Sequence, residues 1–297
     1  MKLKYFLVFF LIVASLLLLI YFVNNDQNKF NNNNDQNKPN NKNNYTAKQK
    51  FANSSKKTSP VINNEHNLII ADSIKIIQDT NSNLVKGEIV KHDYYTLSYS
   101  EEHEQAYWVR YILTRSMLEN PLTSRKDNFR TDPLISTGSA ELADYVGSGF
   151  DRGHLCPAKD MECSDIAMSE SFYMSNMSPQ HPSLNRGRWK QLEGQVRKWS
   201  LKYDSLIIYC GGVLDSISSY IGPNNVVVPK FYYKVIFSTQ KNEAISFIMP
   251  NKKCENKLIY YSTTVDSVEK LTHIDFFEQY PSELQKVFES KNNFNQW

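Results

Sequence analysis

The chain has 297 residues, 41% of them hydrophobic, enough for one large domain or two small ones. Its formal charge of +3 misleads, because residues 1–64 carry nine lysines against only Asp26 and Asp35, leaving 25 basic and 29 acidic residues beyond them. Bulk charge therefore gives no argument for a polyanionic partner, and any such argument must come from local clusters.

Lys2 and Lys4 precede Tyr5–Val23, nineteen residues without a charge. That is about the minimum span of a bilayer core. No Ala-x-Ala site or lipobox cysteine follows, so we expect an uncleaved signal anchor over residues 1–23. The lysines would stay in the cytoplasm and the rest would cross, making the protein membrane-anchored and periplasmic or extracellular; a cleaved segment would make it secreted. Residues 24–44 hold twelve asparagines, and such a stretch buries too little apolar surface to offset its ordering entropy. Residues 24–84 are expected to be a flexible linker. Residues 85–297 are expected to be the folded domain.

Within that domain, Ile89–Ser100 and Gln105–Thr114 are rich in β-branched and aromatic residues and read as a hairpin. Residues 115–150 read as loops, with a basic-aromatic run at Arg125–Arg130 and a turn at Thr131-Asp132-Pro133. Ser164–Ser171 suggests a short helix capped by Ser164, and Met174–Gln180 reads as extended. Residues 185–202 carry Trp189, Leu192, Val196 and Trp199 at helical spacing. Ser205–Cys210, Val226–Ser238, Ala244–Met249 and Leu258–Thr263 read as strands; Val265–Leu271 and Ser282–Lys291 read as helices. This mixture without βαβ alternation predicts an α+β fold, a mostly antiparallel central sheet flanked by helices.

Asp151-Arg152-Gly153-His154 follows Gly147 and Gly149, which places a carboxylate, a guanidinium and an imidazole on a tightly bent backbone. His154 is open to two readings: a general base that activates water, or a structural histidine in a turn. Arg152 suits phosphate binding. Asn185 is either a helix N-cap or a neutral oxygen ligand for Mg²⁺, an ion that needs few protein ligands. Glu193 lies eight residues on; spacing favours an ion pair with Arg197 over a role near a metal. Arg125, Lys126 and Arg130, and on the helix Arg186 and Arg188, either track a phosphate backbone or form solvated faces. The four cysteines (Cys156, Cys163, Cys210, Cys254) lack CxxC spacing, which argues against a zinc cluster. One or two disulfides or buried free thiols remain open. A thiol nucleophile is set aside.

Taken in order, Asp-Arg-Gly-His (151–154), Ser-Asn-Met-Ser-Pro-Gln (175–180), Leu-Asn-Arg-Gly-Arg-Trp (184–189), Leu-Glu-Gly-Gln (192–195), Val-Pro-Lys-Phe-Tyr-Tyr-Lys-Val (228–235) and Thr-His-Ile-Asp-Phe-Phe (272–277) resemble the DNA/RNA non-specific endonucleases of the ββα-metal (His-Me finger) type. The last segment has His273 where the family commonly has Gly. The resemblance implies a ββα-metal motif and sequence-non-specific hydrolysis of DNA and RNA to 5′-phosphate and 3′-hydroxyl ends. It implies Mg²⁺, or Mn²⁺ in its place, held by Asn185 as the single direct protein ligand. His154 would be the base, Arg152 would contact phosphate, Glu193 would hold one of the ion's waters, and Asn176 would support the geometry. Arg125 or Arg130 would be a second phosphate contact. Asp151 is expected only to brace its loop. Two other readings are a membrane-tethered nucleic-acid binder without catalysis and a metal-dependent phosphodiesterase for small diesters.

Overall fold

A computed structural model describes residues 86–297. The expected anchor and linker lie outside the described residues; within them, no helix is long and apolar enough to cross a membrane. In chain order the strands are β1 (Glu88–Lys91), β2 (Tyr95–Ser100), β3 (Gln105–Thr114), β4 (Asp151–His154), β5 (Met177–Gln180), β6 (Ser205–Gly212), β7 (Ile217–Ile221), β8 (Val226–Pro229), β9 (Phe231–Ser238), β10 (Glu243–Pro250) and β11 (Ser262–Thr263). The α-helices are α1 (Arg115–Glu119), α2 (Leu142–Tyr145), α3 (Asp165–Glu170), α4 (Lys190–Tyr203), α5 (Val265–Thr272) and α6 (Ser282–Glu289).

A seven-stranded sheet runs β1-β2-β3-β6-β9-β10-β11, and every pairing in it is antiparallel. The expected α+β architecture therefore holds. Both faces of the sheet are covered. On β6, Leu206, Ile208 and Cys210 join one core with Leu192, Val196 and Trp199 of α4. Ile207 and Tyr209, of opposite parity, join a second core with Val265 and Val268 of α5 and Phe288 of α6. Burial on both faces makes these strands read as apolar runs rather than as alternating ones. Each fully buried aliphatic side chain contributes about 1.5–3 kcal/mol.

Several segments depart from expectation: residues 115–150, read as loops, contain α1 and α2, and Met174–Asn176, read as extended, forms a 3₁₀ turn before β5. The first strand breaks at His92, whose N–H donates to Tyr95 O at 2.9 Å while its ring turns inward to Asp132; the hairpin becomes a three-stranded meander. Val226–Ser238 breaks at Lys230, so that β8 pairs with β7 in a separate ribbon. Leu258–Tyr261 forms a 3₁₀ turn with only Ser262–Thr263 extended. Asn185 is no N-cap: it lies inside a wide helical turn, Leu184–Trp189, that leads into α4 and is kinked at Gly187, whose ψ of −106° is outside the helical range. By contrast, Ser164 caps α3 as expected, its side chain accepting from Ile166 N and Ala167 N.

Candidate active site

β4 and β5 form a two-stranded antiparallel ribbon with Asp151 opposite Gln180 and His154 opposite Met177. The helical run from Leu184 follows directly, giving two strands and a helix that carry the sequence motifs. Gly147 and Gly149 take positive φ on the approach. Gly153 is needed for a different reason: a Cβ there would lie 2.3 Å from Gln180 Oε1. The Gln180 side chain thus lies over the residue between Arg152 and His154. Both polar atoms of its amide are buried without partners.

His154 is boxed by aromatics. Phe172 meets it edge-on at 5.0 Å and Phe129 at 5.8 Å. Its Nε2 is covered and has no hydrogen-bond partner. Burial, then the charges of Arg125 and Arg152, push its pKa down to about 3. The imidazole is therefore neutral but, as it stands, a weak base; an anion seated against the two arginines would offset the charges that depress it and raise its basicity. Arg152 stacks over Phe129 at 4.3 Å, with its Nε covered and unpaired.

Asp151 joins the ribbon to the helix. Its Oδ2 accepts from Asn185 Nδ2 at 2.9 Å and from Arg186 Nε at 2.8 Å, and its Oδ1 accepts from Arg186 Nη2 at 2.5 Å. Burial alone would raise the Asp151 pKa, but the bonds from Arg186 and Asn185 more than offset it and hold the carboxylate below its ordinary value. The bond to Asp151 occupies the Asn185 amide nitrogen. The carbonyl oxygen is the atom available to a cation.

Glu193 does not pair with Arg197. That guanidinium instead donates to buried Asp160 at 2.8 Å, which also accepts from Tyr111 Oη at 3.1 Å. Glu193 has no cation within 4.0 Å among the described residues. Burial pushes its carboxyl up to about 7. The nearby positive charge comes first from Lys234, a wholly buried lysine on β9 whose ammonium lies 5.2 Å from the Trp189 ring.

The remaining candidates separate by their partners. Asn176 is fully used: Oδ1 accepts from Cys156 N at 2.9 Å, and Nδ2 donates to Cys156 O at 2.9 Å and Ser171 O at 2.8 Å. It clamps the connection between β4 and β5. Arg130 donates to Asn128 O, Ser169 O and Ser169 Oγ and stacks on Tyr173 at 3.9 Å. Arg125 is exposed, hydrogen-bonds to Asp127, and lies 5.0 Å from the Phe172 ring that faces His154. Arg186, whose side chain is 73% exposed, is the bidentate partner of Asp151. The four cysteines are free thiols.

Sequence reasoning did not single out Gln180, Lys234, Phe129 or Phe172. Lys234 had a signal, a lysine inside the otherwise apolar Phe231–Ser238; Gln180 stood in the quoted Ser-Pro-Gln but had no chemistry attached.

The family model for DNA/RNA non-specific endonucleases matches residues 72–283. Nuclease C1 of Cunninghamella echinulata var. echinulata is 32% identical over 210 residues, covering 65% of this chain and 83% of that protein. The mitochondrial nuclease EXOG of Homo sapiens is 32% identical over 202 residues, covering 62% of this chain and 55% of that protein, so the chain spans about half of that relative's length. A crystal structure of the EndoG/EndoGI complex superposes with a TM-score of 0.63 at 26% identity, over 68% of this chain and 90% of the matched one. With the ribbon, the helix and the boxed histidine in place, the chain belongs to the DNA/RNA non-specific endonuclease family.

Proposed function

We propose that the protein hydrolyses phosphodiester bonds in DNA and RNA with little regard to sequence, leaving 5′-phosphate and 3′-hydroxyl ends. The observation that carries this reading is the Asp151–Asn185 bond. It couples the strand bearing Arg152 and His154 to the helix bearing the neutral oxygen donor.

The donor set fits a hard divalent cation. Asn185 offers a carbonyl oxygen, and Glu193 is a carboxyl without a paired cation. We assign Mg²⁺ to these residues, with Mn²⁺ as its substitute. When bound, it supplies Lewis-acid polarisation of the phosphate. The chain's own side chains do the rest. His154 is neutral and accepts a proton from the attacking water. Arg152 lies two residues away on the same strand, held by Phe129, where it offsets the charge that develops on the phosphorus oxygens. Arg125 adds a second positive charge on the His154 side. Contacts of this kind read the backbone, not the bases. Tyr5–Val23 would tether the domain outside the cytoplasm, where an unspecific nuclease spares the cell's own genome.

The test is incubation of the full chain with plasmid and with RNA, with and without Mg²⁺. We expect metal-dependent degradation of both, reduced at least 10²-fold in His154→Ala and in Asn185→Ala. Unchanged cleavage in either variant overturns that residue's role. Plasmid binding without cleavage by the wild type would indicate a binding protein, and turnover of a small diester alone would indicate a phosphodiesterase.

A further inference from the structure

A second group of acids lies on the other face of the sheet. Asp266 and Glu269 on α5 and Glu289 at the end of α6 each place one carboxylate oxygen within 4.8 Å of the other two. Asp266 and Glu269 are three residues apart on one side of the helix. Among the described residues none of the three pairs with a lysine, arginine or histidine within 4.0 Å. Glu289 is only 5% exposed, and its Oε1 is covered without a hydrogen-bond partner. Glu269 uses one oxygen to accept from Phe276 N at 3.0 Å. Asp275, in the connection between the helices, adds a fourth negative charge to the surroundings of Glu269 and Glu289.

A buried carboxyl without a donor is costly unless it is protonated or coordinated. Burial, then repulsion from the neighbouring acids, pushes Glu289 up to about 8 and Glu269 up to about 7. A cation removes both penalties together. Oxygens bound to one Ca²⁺ at about 2.3–2.6 Å lie up to about 5 Å apart, so three oxygens within 4.8 Å of one another suit a single ion. Mg²⁺ demands a stricter octahedron, keeps several of its waters and usually takes only one or two carboxylates, so a group of three protein carboxylates suits Ca²⁺ better.

We infer that Asp266, Glu269 and Glu289 form a Ca²⁺ site that ties α6 to α5. The site is structural. The two helices cover the core containing Phe237 and Phe277, against which Phe288 of α6 packs at 5.1 and 5.2 Å. α4 and the helical turn that carries Asn185 pack on the opposite face through Leu184, Trp189 and Leu192. The three acids share no residue with the candidate active site.

The test uses the full chain freed of metal with a chelator, then titrated with CaCl₂ while heat of binding and thermal unfolding are recorded. In the wild type, 5 mM Ca²⁺ should raise Tm by about 2–4 °C. Asn185→Ala should show the same shift, since its lesion is on the other face. Glu289→Gln should lose the shift. Asp266→Asn, at an exposed position where folding is not in question, should bind at least tenfold more weakly. Absence of Ca²⁺ binding in the wild type overturns the site, as does an equal shift in Glu289→Gln and Asp266→Asn. In either case the group is a cluster of protonated acids, and Glu289→Gln is then the more stable chain without any ion.

Discussion

Asp151 and Asn185 are joined by a 2.9 Å hydrogen bond between residues 34 positions apart in the chain. The same carboxylate holds Arg186 through two further bonds. The residue expected only to brace its own loop thus sets the orientation of the candidate metal ligand. Asp151→Ala should lower cleavage by about 10–100-fold and raise the Mg²⁺ concentration for half-maximal activity, with His154 left in place. A Mg²⁺ titration of plasmid cleavage checks it; an unaltered midpoint would separate Asp151 from the metal.

Gly153 tests the packing of the ribbon. A methyl group there meets Gln180 Oε1 at 2.3 Å and Gln180 Cδ at 2.4 Å. Gly153→Ala should displace that side chain, cost about 1–3 kcal/mol, and reduce turnover more than substrate binding. Gly153→Ala/Gln180→Ala should recover the stability, as measured by denaturant melts.

The two upstream arginines should behave differently. Arg125→Ala touches an exposed side chain near His154, so Tm should hold while cleavage falls about tenfold and becomes less sensitive to salt. Arg130→Ala removes three bonds to the chain's own oxygens and should cost about 1–3 kcal/mol of stability. Paired kinetic and thermal measurements on both variants decide between the roles.

His92 supplies a pH signature. Burial would lower its pKa, but the 2.9 Å hydrogen bond from its ring to Asp132, with the carboxylate charges of Asp132 and of Glu170 3.8 Å away, raises it to about 9. A raised histidine contributes stability that is complete below its unfolded value of about 6.5 and is lost as pH climbs through about 9. Wild-type Tm should therefore fall between pH 6.5 and 9.5. His92→Gln should lie lower by about 3–5 kcal/mol at pH 6, because it strands buried Asp132, and its slope should be flatter.

Lys234 should set the charge state of Glu193. Glu193 is raised to about 7 by burial, and the positive charge of Lys234 works against that rise. Lys234→Met should move the pH of half-maximal cleavage upward, since Glu193 then needs a higher pH to lose its proton. A profile that keeps its midpoint would remove Lys234 from the site.

The order of motifs along the chain was enough to point to the family, which the family model bears out, and to nominate His154, Arg152 and Asn185 as candidates. These residue types carry their chemistry wherever the fold puts them. Strand and helix positions were also legible where burial followed a simple period, as at Trp189, Leu192, Val196 and Trp199. The pairing of side chains was not. Spacing matched Glu193 with Arg197 because residues four apart on a helix are neighbours, but Asp160 comes from another element, lies buried beside Tyr111, and takes the arginine. Arg125 and Arg130 looked alike in sequence and differ only in what surrounds them. The break at Lys230 depends on partners from distant segments, its N–H donating to Ser216 O and its carbonyl accepting from Asn251 N. Local sequence specifies which groups are present and where elements form. Only tertiary contact, made across tens of residues, decides which charges are satisfied and which are left for chemistry.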